Sequence, residues 1–371
     1  MEKSSKIYVA GHSGLVGSAL VRKLRSKGYT NITGRLMEEL NLLDQQKTLD
    51  FFRQEKPEYV FLAAARVGGI MANNTYRAQF IYENLQIQNN IIHSSYVTGV
   101  KKLLFLGSSC IYPKNAPQPL KEDYLLTSPL EYTNEPYAIA KIAGIKMIES
   151  YNIQYGTNYL AVMPTNLYGP NDNYDLEKSH VLPALLRKMH LGKCLQRNDW
   201  PAIRNDLNRK PVEGVSGAAD KDVILGILSK YGISVQGRAQ VTVTVWGTGT
   251  PRREFLYSDD MADACVYLME NIDFQDIVKE QAKGQSKEKN IINTHINIGT
   301  GRDLTIRELA NMIKNTVGFE GELYWDTSKP DGTMQKLLDV TKLRHLGWSE
   351  KIPLPEGIRQ VYDQYITRTE P

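Results

Sequence analysis

The chain is poor in cysteine, in charge of either sign in excess, and in long apolar runs. Its 371 residues include three cysteines, Cys110, Cys194 and Cys265. They are odd in number, far apart and without a Cys-x-x-Cys pair, so neither a disulfide framework nor a zinc site is expected, and no metal. No stretch nears the ~20 apolar residues that a membrane helix needs, and the N-terminus runs from Met1-Glu2-Lys3-Ser4-Ser5-Lys6 straight into a strand-like segment. No membrane partner, no secretion and a reducing cytoplasm are therefore expected. A net charge of +4 is too small to imply a nucleic-acid partner. Internal repeats and low-complexity tracts are absent too. What remains is 42% hydrophobic and 23% charged, the balance of a soluble globular protein with a sizeable core in one large or two intimate domains.

Residues 6–10 form a short β-branched and aromatic run, followed at once by Gly11-His12-Ser13-Gly14-Leu15-Val16-Gly17 and an amphipathic pattern to about residue 27. Strand, glycine turn and helix in that order suit a dinucleotide. The glycines permit a tight turn and close approach of backbone to a pyrophosphate, whose charge the helix N-terminus stabilises. A second strand, at 29–33, is followed by Gly34-Arg35 where an NAD enzyme usually presents an acidic group to the ribose. A guanidinium suits a 2′-phosphate instead, which points to NADP(H).

Apolar strands at 59–65, 102–107 and 159–163 alternate with helices at 46–54, 77–96 and 137–155, and another strand is expected near 295–301. Strands that are apolar throughout imply a parallel sheet covered on both faces, with ligands beyond its carboxyl ends. The fold class expected is α/β: a doubly wound parallel sheet of Rossmann type with a smaller α/β substrate-binding lobe. The first domain is expected to take 1–170 plus about 258–300, and the lobe 171–257 plus 301–371. Within the lobe, 192–240 looks unusual, with a helical pattern at 222–231. Asp259 and Asp260 read as a helix start, and the charged run 279–289 as a solvated loop. Helices at 305–317, 341–345 and 354–366 are assigned to the lobe.

The chemistry centres on Tyr137 and Lys141, one turn apart on one helix face. At ~4 Å and an effective dielectric near 20, two unit charges interact by about 4 kcal/mol, or roughly three pKa units. The lysine is therefore expected to make the phenol more acidic, bringing it within range of acid–base work. Ser108 and Cys110 follow a strand, and an extended chain there would point both to one side.

These features resemble the extended short-chain dehydrogenase/reductases that modify nucleotide sugars. Longer motifs are similar to the branch acting on GDP-4-keto-6-deoxy-D-mannose: Ala63-Ala64-Ala65-Arg66-Val67-Gly68-Gly69-Ile70, Leu106-Gly107-Ser108-Ser109-Cys110-Ile111-Tyr112-Pro113, residues 134–145 and 163–170, and Lys329-Pro330-Asp331-Gly332-Thr333. The resemblance covers nearly all of the chain except about 192–240. It implies 3,5-epimerisation followed by NADPH reduction at C4, giving GDP-L-fucose. Cys110 and His180 match the family's base and acid, Tyr137 its proton donor, Ser108 the holder of the C4 oxygen, and Lys141 the residue that lowers the phenol pKa and binds the ribose. Cofactor contacts are implied for 11–17, Arg35, Asn41, Leu42, Leu106, Gly107, Ser108, Ser109, Tyr137, Lys141, Pro164, Thr165, Asn166, Leu167 and His180. Lys188, Trp246, Arg253 and Asp331 match contacts to the GDP-sugar, and a homodimer through the helices at 77–96 and 137–155 is implied.

Two departures stand out. Ser13 occupies a position where members often carry arginine, which leaves a 2′-phosphate to Arg35, and 192–240 exceeds the usual connection. A 4,6-dehydratase would need a carboxylic acid beside the serine, whereas this chain has Ser109 and Cys110. A 4-epimerase would retain NAD, against the lack of an acidic group after the second strand. A non-catalytic NADP-binding regulator would tend to lose Tyr137 or Lys141.

Overall fold

The structure, a computed structural model, describes residues 1–236, 240–282 and 290–367. It divides into two compact units: Met1–Leu167 with Glu254–Arg302 and Leu337–Lys351, and Tyr168–Arg253 with Asp303–Lys336 and Ile352–Pro371.

The first unit is built on a six-stranded sheet in the order Ile296–Ile298, Tyr159–Pro164, Lys102–Leu106, Tyr59–Leu62, Ile7–Ala10, Ile32–Thr33. All five pairings are parallel. Parallel strands are buried on both faces, and alternate side chains here enter two separate cores. Ile7, Val9, Leu104, Leu106, Leu160 and Val162 pack beneath the helices Leu15–Ser26 and Ser258–Asn271. Tyr8, Ala10, Leu103, Phe105, Ala161 and Met163 pack on the other side, with Phe52, Ile91, Ile145 and Ile148 of the helices Gln45–Glu55, Arg77–Val97 and Glu135–Tyr155. The first strand has the second on one side and the third on the other, so the chain reverses its winding direction there. A crevice opens at the carboxyl ends of such a pair.

Several expectations are corrected. The second strand pairs only over Ile32–Thr33, because Tyr29 turns inward and its hydroxyl donates to Glu270 Oε1 at 2.7 Å. The charged run begins inside a helix, Phe274–Ala282; residues 283–289 lie outside those described. The short helix Thr341–His345, assigned to the lobe, belongs with Leu337–Lys351 to the first unit. Leu343, Leu346 and Trp348 bury themselves in its core, and the Trp348 indole donates to Asp263 Oδ2 at 2.9 Å.

In the second unit the helix Val181–Gln196 packs beside the strand Gln240–Trp246, closely enough that a Cβ on Gly192 would meet Val243 Cγ2 at 3.2 Å. That strand is the centre of a three-stranded sheet, parallel to Glu322–Asp326 and antiparallel to Ile233–Gln236. The described part of the segment 192–240 is thus ordered structure. It completes the first helix, adds the helices Trp200–Arg209 and Lys221–Lys230, and supplies the edge strand. Among the described residues no helix is long and apolar enough to cross a membrane.

Replacing Trp348 by alanine should cost about 3–5 kcal/mol, the range for a buried large aromatic. Urea unfolding of the variant against the parent checks this.

Candidate active site

The glycine turn sits at the crevice. Gly11 has φ +80°, and a Cβ there would lie 2.8 Å from Ala64 N, so this position excludes side chains. A Cβ on Gly17 would meet Gly11 O at 1.9 Å, which lets the helix Leu15–Ser26 start hard against the turn. Its first turn carries no acidic residue, leaving the positive end of the dipole for an anion. The His12 ring lies against Gly34, and its Nδ1 is buried without a partner. Such a cradle, bare of side chains and with an orphaned imidazole nitrogen, fits a dinucleotide.

Arg35 is half-buried beside it and already engaged: Nη2 donates to Glu55 Oε1 at 2.8 Å, and Nη1 to Thr33 Oγ1 and Gly34 O. A 2′-phosphate would share this guanidinium with Glu55. Asn41 accepts from Leu43 N, and the Leu42 carbonyl accepts from Asn90 Nδ2 at 2.8 Å. Ser13 is exposed on the turn.

Ser108, Cys110, Tyr137 and Lys141 are gathered at the end of the strand Lys102–Leu106. Pro136 near the start of the helix Glu135–Tyr155 presets its first turn, which brings Tyr137 and Lys141 onto the buried face. Lys141 Nζ donates to Leu106 O at 2.8 Å and lies 4.7 Å from the Phe105 ring centroid and 5.7 Å from that of Tyr137. Burial pushes its pKa down to about 8, opposed by the nearby charge of Cys110. Tyr137 moves the other way from the expectation. Burial, with help from Cys110, raises its pKa well above the ordinary phenol value. The phenol is thus held protonated.

Ser108 is extended (φ −161°), but the chain then coils into the turn Ser109–Ile111, so Ser108 and Cys110 do not share one face of a strand. Instead Ser108 Oγ accepts from Cys110 N at 3.4 Å. The side chain of Cys110 is buried. Gly107 leaves room for Met163, whose Cε would be 2.2 Å from a Cβ.

Residues 164–167 are fixed by a group that the sequence reading passed over, Glu254. The Glu254 carbonyl accepts from Thr165 Oγ1 at 3.2 Å and Asn166 Nδ2 at 2.9 Å. Its fully buried carboxylate accepts from Thr300 N, Gly301 N and Leu338 N at 2.5–3.0 Å. Burial raises its pKa while these donors favour its charge. An acid leading directly into the apolar run Phe255-Leu256-Tyr257 was the available signal.

In the second unit, His180 stands at the N-terminus of the helix Val181–Gln196 and Lys188 lies on the same helix, about 12 Å further along its axis. His180 keeps an accessible edge, yet protein crowded around its ring pushes its pKa down. Burial likewise takes Lys188 down to about 8, and its Nζ reaches Thr244 O at 3.4 Å. Trp246 ends that strand, 64% exposed, with Lys329 Nζ 5.6 Å from the ring centroid. Asp331 accepts from Thr248 N at 3.0 Å and Thr248 Oγ1 at 2.7 Å. Its neighbour Gly332 leaves room for Arg253 Nη2, 3.1 Å from where a Cβ would stand, and Arg253 Nη1 donates to Thr333 O. Lys188, Trp246, Arg253 and Asp331 are thereby linked through one strand and one turn.

Lys141 and Lys188 are charged below pH about 8 and lose that charge above it. On the roles that the resemblance implies, Lys141 at the cofactor ribose and Lys188 at the GDP-sugar, the KM values for NADPH and for a nucleotide sugar should both rise as pH climbs through that point. In Lys188→Arg the sugar-nucleotide limb should shift to higher pH while the NADPH limb stays, which pH profiles of the two KM values would reveal.

Comparison with known proteins agrees with this geometry. The pattern of the NAD dependent epimerase/dehydratase family matches residues 7–206 and 219–299. The chain is 51% identical over 365 residues to GDP-L-fucose synthase 1 of Arabidopsis thaliana, covering 98% of this chain and 94% of that protein. It is 46% identical over 361 residues to GDP-L-fucose synthase of Escherichia coli (strain K12), covering 97% and 96%. The solved structure of a GDP-D-glycero-L-gluco-heptose synthase from Campylobacter jejuni, in the presence of NADPH, superposes with a TM-score of 0.89 at 47% identity over 99% of this chain and 100% of that one. The chain belongs to the NAD dependent epimerase/dehydratase family, as a near relative of the GDP-L-fucose synthases.

Proposed function

We propose that the chain converts GDP-4-keto-6-deoxy-D-mannose to GDP-L-fucose, inverting C3 and C5 and then reducing C4 with NADPH. The observation that carries the reading is the cluster of Ser108, Cys110, Tyr137 and Lys141 around the end of one buried strand. A ketone at C4 acidifies the protons on both flanking carbons. The Cys110 thiolate, within electrostatic reach of the Lys141 ammonium, takes a proton from carbon, and His180 returns one. NADPH supplies the hydride for C4. Tyr137, held protonated, gives its proton to the C4 oxygen, which the Ser108 hydroxyl steadies.

Lys141 would hold the ribose, the turn 11–17 the pyrophosphate and Arg35 the 2′-phosphate. The side chains of Lys188 and Arg253 place positive charge for the GDP phosphates, and the exposed Trp246 indole offers a stacking face. A second reading, an NADPH-dependent enzyme of GDP-heptose synthesis, is favoured by the likeness to the Campylobacter jejuni GDP-D-glycero-L-gluco-heptose synthase. The two share the ketone and the reductant and differ in the substituent at C5.

Self-association is part of the proposal. Tyr82, Val97, Ile153 and Tyr155 are 45–63% exposed on the helices Arg77–Val97 and Glu135–Tyr155, and the Tyr96 and Tyr155 rings stack at 4.3 Å. Such an apolar stripe suits a second copy of the chain. Cys110, Cys194 and Cys265 form no disulfide among the described residues, which accords with a reducing cytoplasm.

Incubation with NADPH and GDP-4-keto-6-deoxy-D-mannose in D₂O should consume NADPH and give GDP-L-fucose labelled at C3 and C5, read by NMR. Unlabelled, C4-reduced product, or turnover of the heptose substrate alone, rejects the bifunctional reading. Cys110→Ser should lose about 10²–10⁴-fold in epimerisation, the range for a general base, with NADPH affinity retained.

A further inference from the structure

We infer that Arg187 and Asp206 are positioning residues for His180 and Lys188, and that the helix Trp200–Arg209 serves to hold them. The inference rests on the reading of His180 and Lys188 given above. Arg187 precedes Lys188 on the helix Val181–Gln196, but points inward and is 1% exposed. A guanidinium is always charged, and its burial is tolerable only with a counter-ion and filled donors.

Every arm of Arg187 has a partner. Nε donates to Asp206 Oδ1 at 2.9 Å, and Nη2 lies 2.8 Å from the same oxygen. Nη1 donates to Tyr174 O at 3.0 Å, and Nη2 also to Lys210 O at 2.5 Å. Asp206, 2% exposed, belongs to the helix Trp200–Arg209; its Oδ2 accepts from Tyr365 OH and lies 3.9 Å from Arg209 Nη2. Arg209 in turn donates to Tyr365 O at 2.8 Å, and the Tyr174 and Tyr365 rings meet at 4.7 Å.

This network joins the connection that leads into His180, through Tyr174, to the helix that carries Lys188. The connection is anchored locally as well. Asp172, Asn173 and Asp175 accept from backbone N–H groups within 173–178, and Lys210 Nζ donates to Asn173 Oδ1 at 2.6 Å. The Tyr174 carbonyl is where the buried guanidinium takes hold of it. Asp206 supplies the negative charge that keeps that guanidinium in place, and the helix Trp200–Arg209 supplies Asp206. Neither residue is assigned to substrate; both act through the backbone that presents His180 and Lys188.

A graded series of variants tests this. Tyr365→Phe keeps the ring and removes the hydroxyl that donates to Asp206; Asp206→Asn removes the counter-ion; Arg187→Ala opens a guanidinium-sized space. The KM for the GDP-sugar and the deuterium incorporation at C3 and C5 should worsen in that order, reaching about tenfold at Asp206→Asn, the effect of a small misplacement of binding groups. The NADPH Kd should hold, since the turn 11–17 and Lys141 belong to the other unit. Millimolar guanidinium should restore part of the KM in Arg187→Ala without improving the parent. Where Arg187→Ala fails to fold, Tyr365→Phe decides. An unchanged KM and unchanged labelling in folded Tyr365→Phe and Asp206→Asn, or an equal loss of NADPH affinity, overturns the inference. Failure of the parent to turn over the GDP-sugar would overturn the proposed function instead.

Discussion

A buried ammonium must find acceptors, and in this protein that requirement ties the catalytic helix to the sheet. Lys141 lies a turn beyond Tyr137 and donates to Leu106 O, the last carbonyl of the strand Lys102–Leu106. Strand ends are where a parallel sheet leaves backbone groups unpaired, so the lysine and the strand satisfy each other. The bond fixes how far the helix Glu135–Tyr155 slides along the sheet. It thereby sets the distance from Tyr137 to Ser108 and Cys110, which follow Leu106 directly. Gly144 lets the same helix press onto Phe105, whose Cζ would be 2.5 Å from a Cβ there.

The loops around that point are held by one acid. Glu254 is fully buried and gathers donors from Thr300, Gly301 and Leu338, while its own carbonyl takes the side chains of Thr165 and Asn166. A carboxylate so placed costs desolvation but removes several orphaned N–H groups at once. The same economy recurs in the second unit, where a guanidinium satisfies the carbonyls of Tyr174 and Lys210 and a carboxylate answers its charge. Both networks fasten loops, the parts of a fold with least hydrophobic burial of their own.

Much of the fold was legible because parallel strands write themselves as unbroken apolar runs. Residues 59–62, 102–106 and 159–164 are read without reference to periodicity, and the helices between them follow from what is left. The return of Leu337–Lys351 to the first unit was not legible, since chain order alone says nothing about which core Trp348 enters. The helix Trp200–Arg209 went unread although its signals were present: Asp199 caps it by accepting from Ala202 N, and Pro201 sits in its first turn. Its polar surface hid them. Glu254 and Arg187 escaped for a related reason: a charged residue in a sequence looks solvated until burial is known.

The direction of the Tyr137 pKa was missed on the same ground. The spacing of Tyr137 and Lys141 shows that the two share a helix face, but not that both side chains are desolvated. A phenol pushed upward is nonetheless suited to reduction. A donor has to carry its proton when hydride arrives, and desolvation guarantees that throughout the neutral range. The acceptor is an alkoxide, far more basic than any phenolate, so the transfer runs downhill even from a weakened acid. Lowering the phenol pKa would help the opposite reaction, in which a phenolate takes a proton from an alcohol. The site as built, with its phenol kept neutral, holds a proton ready for the oxygen at C4.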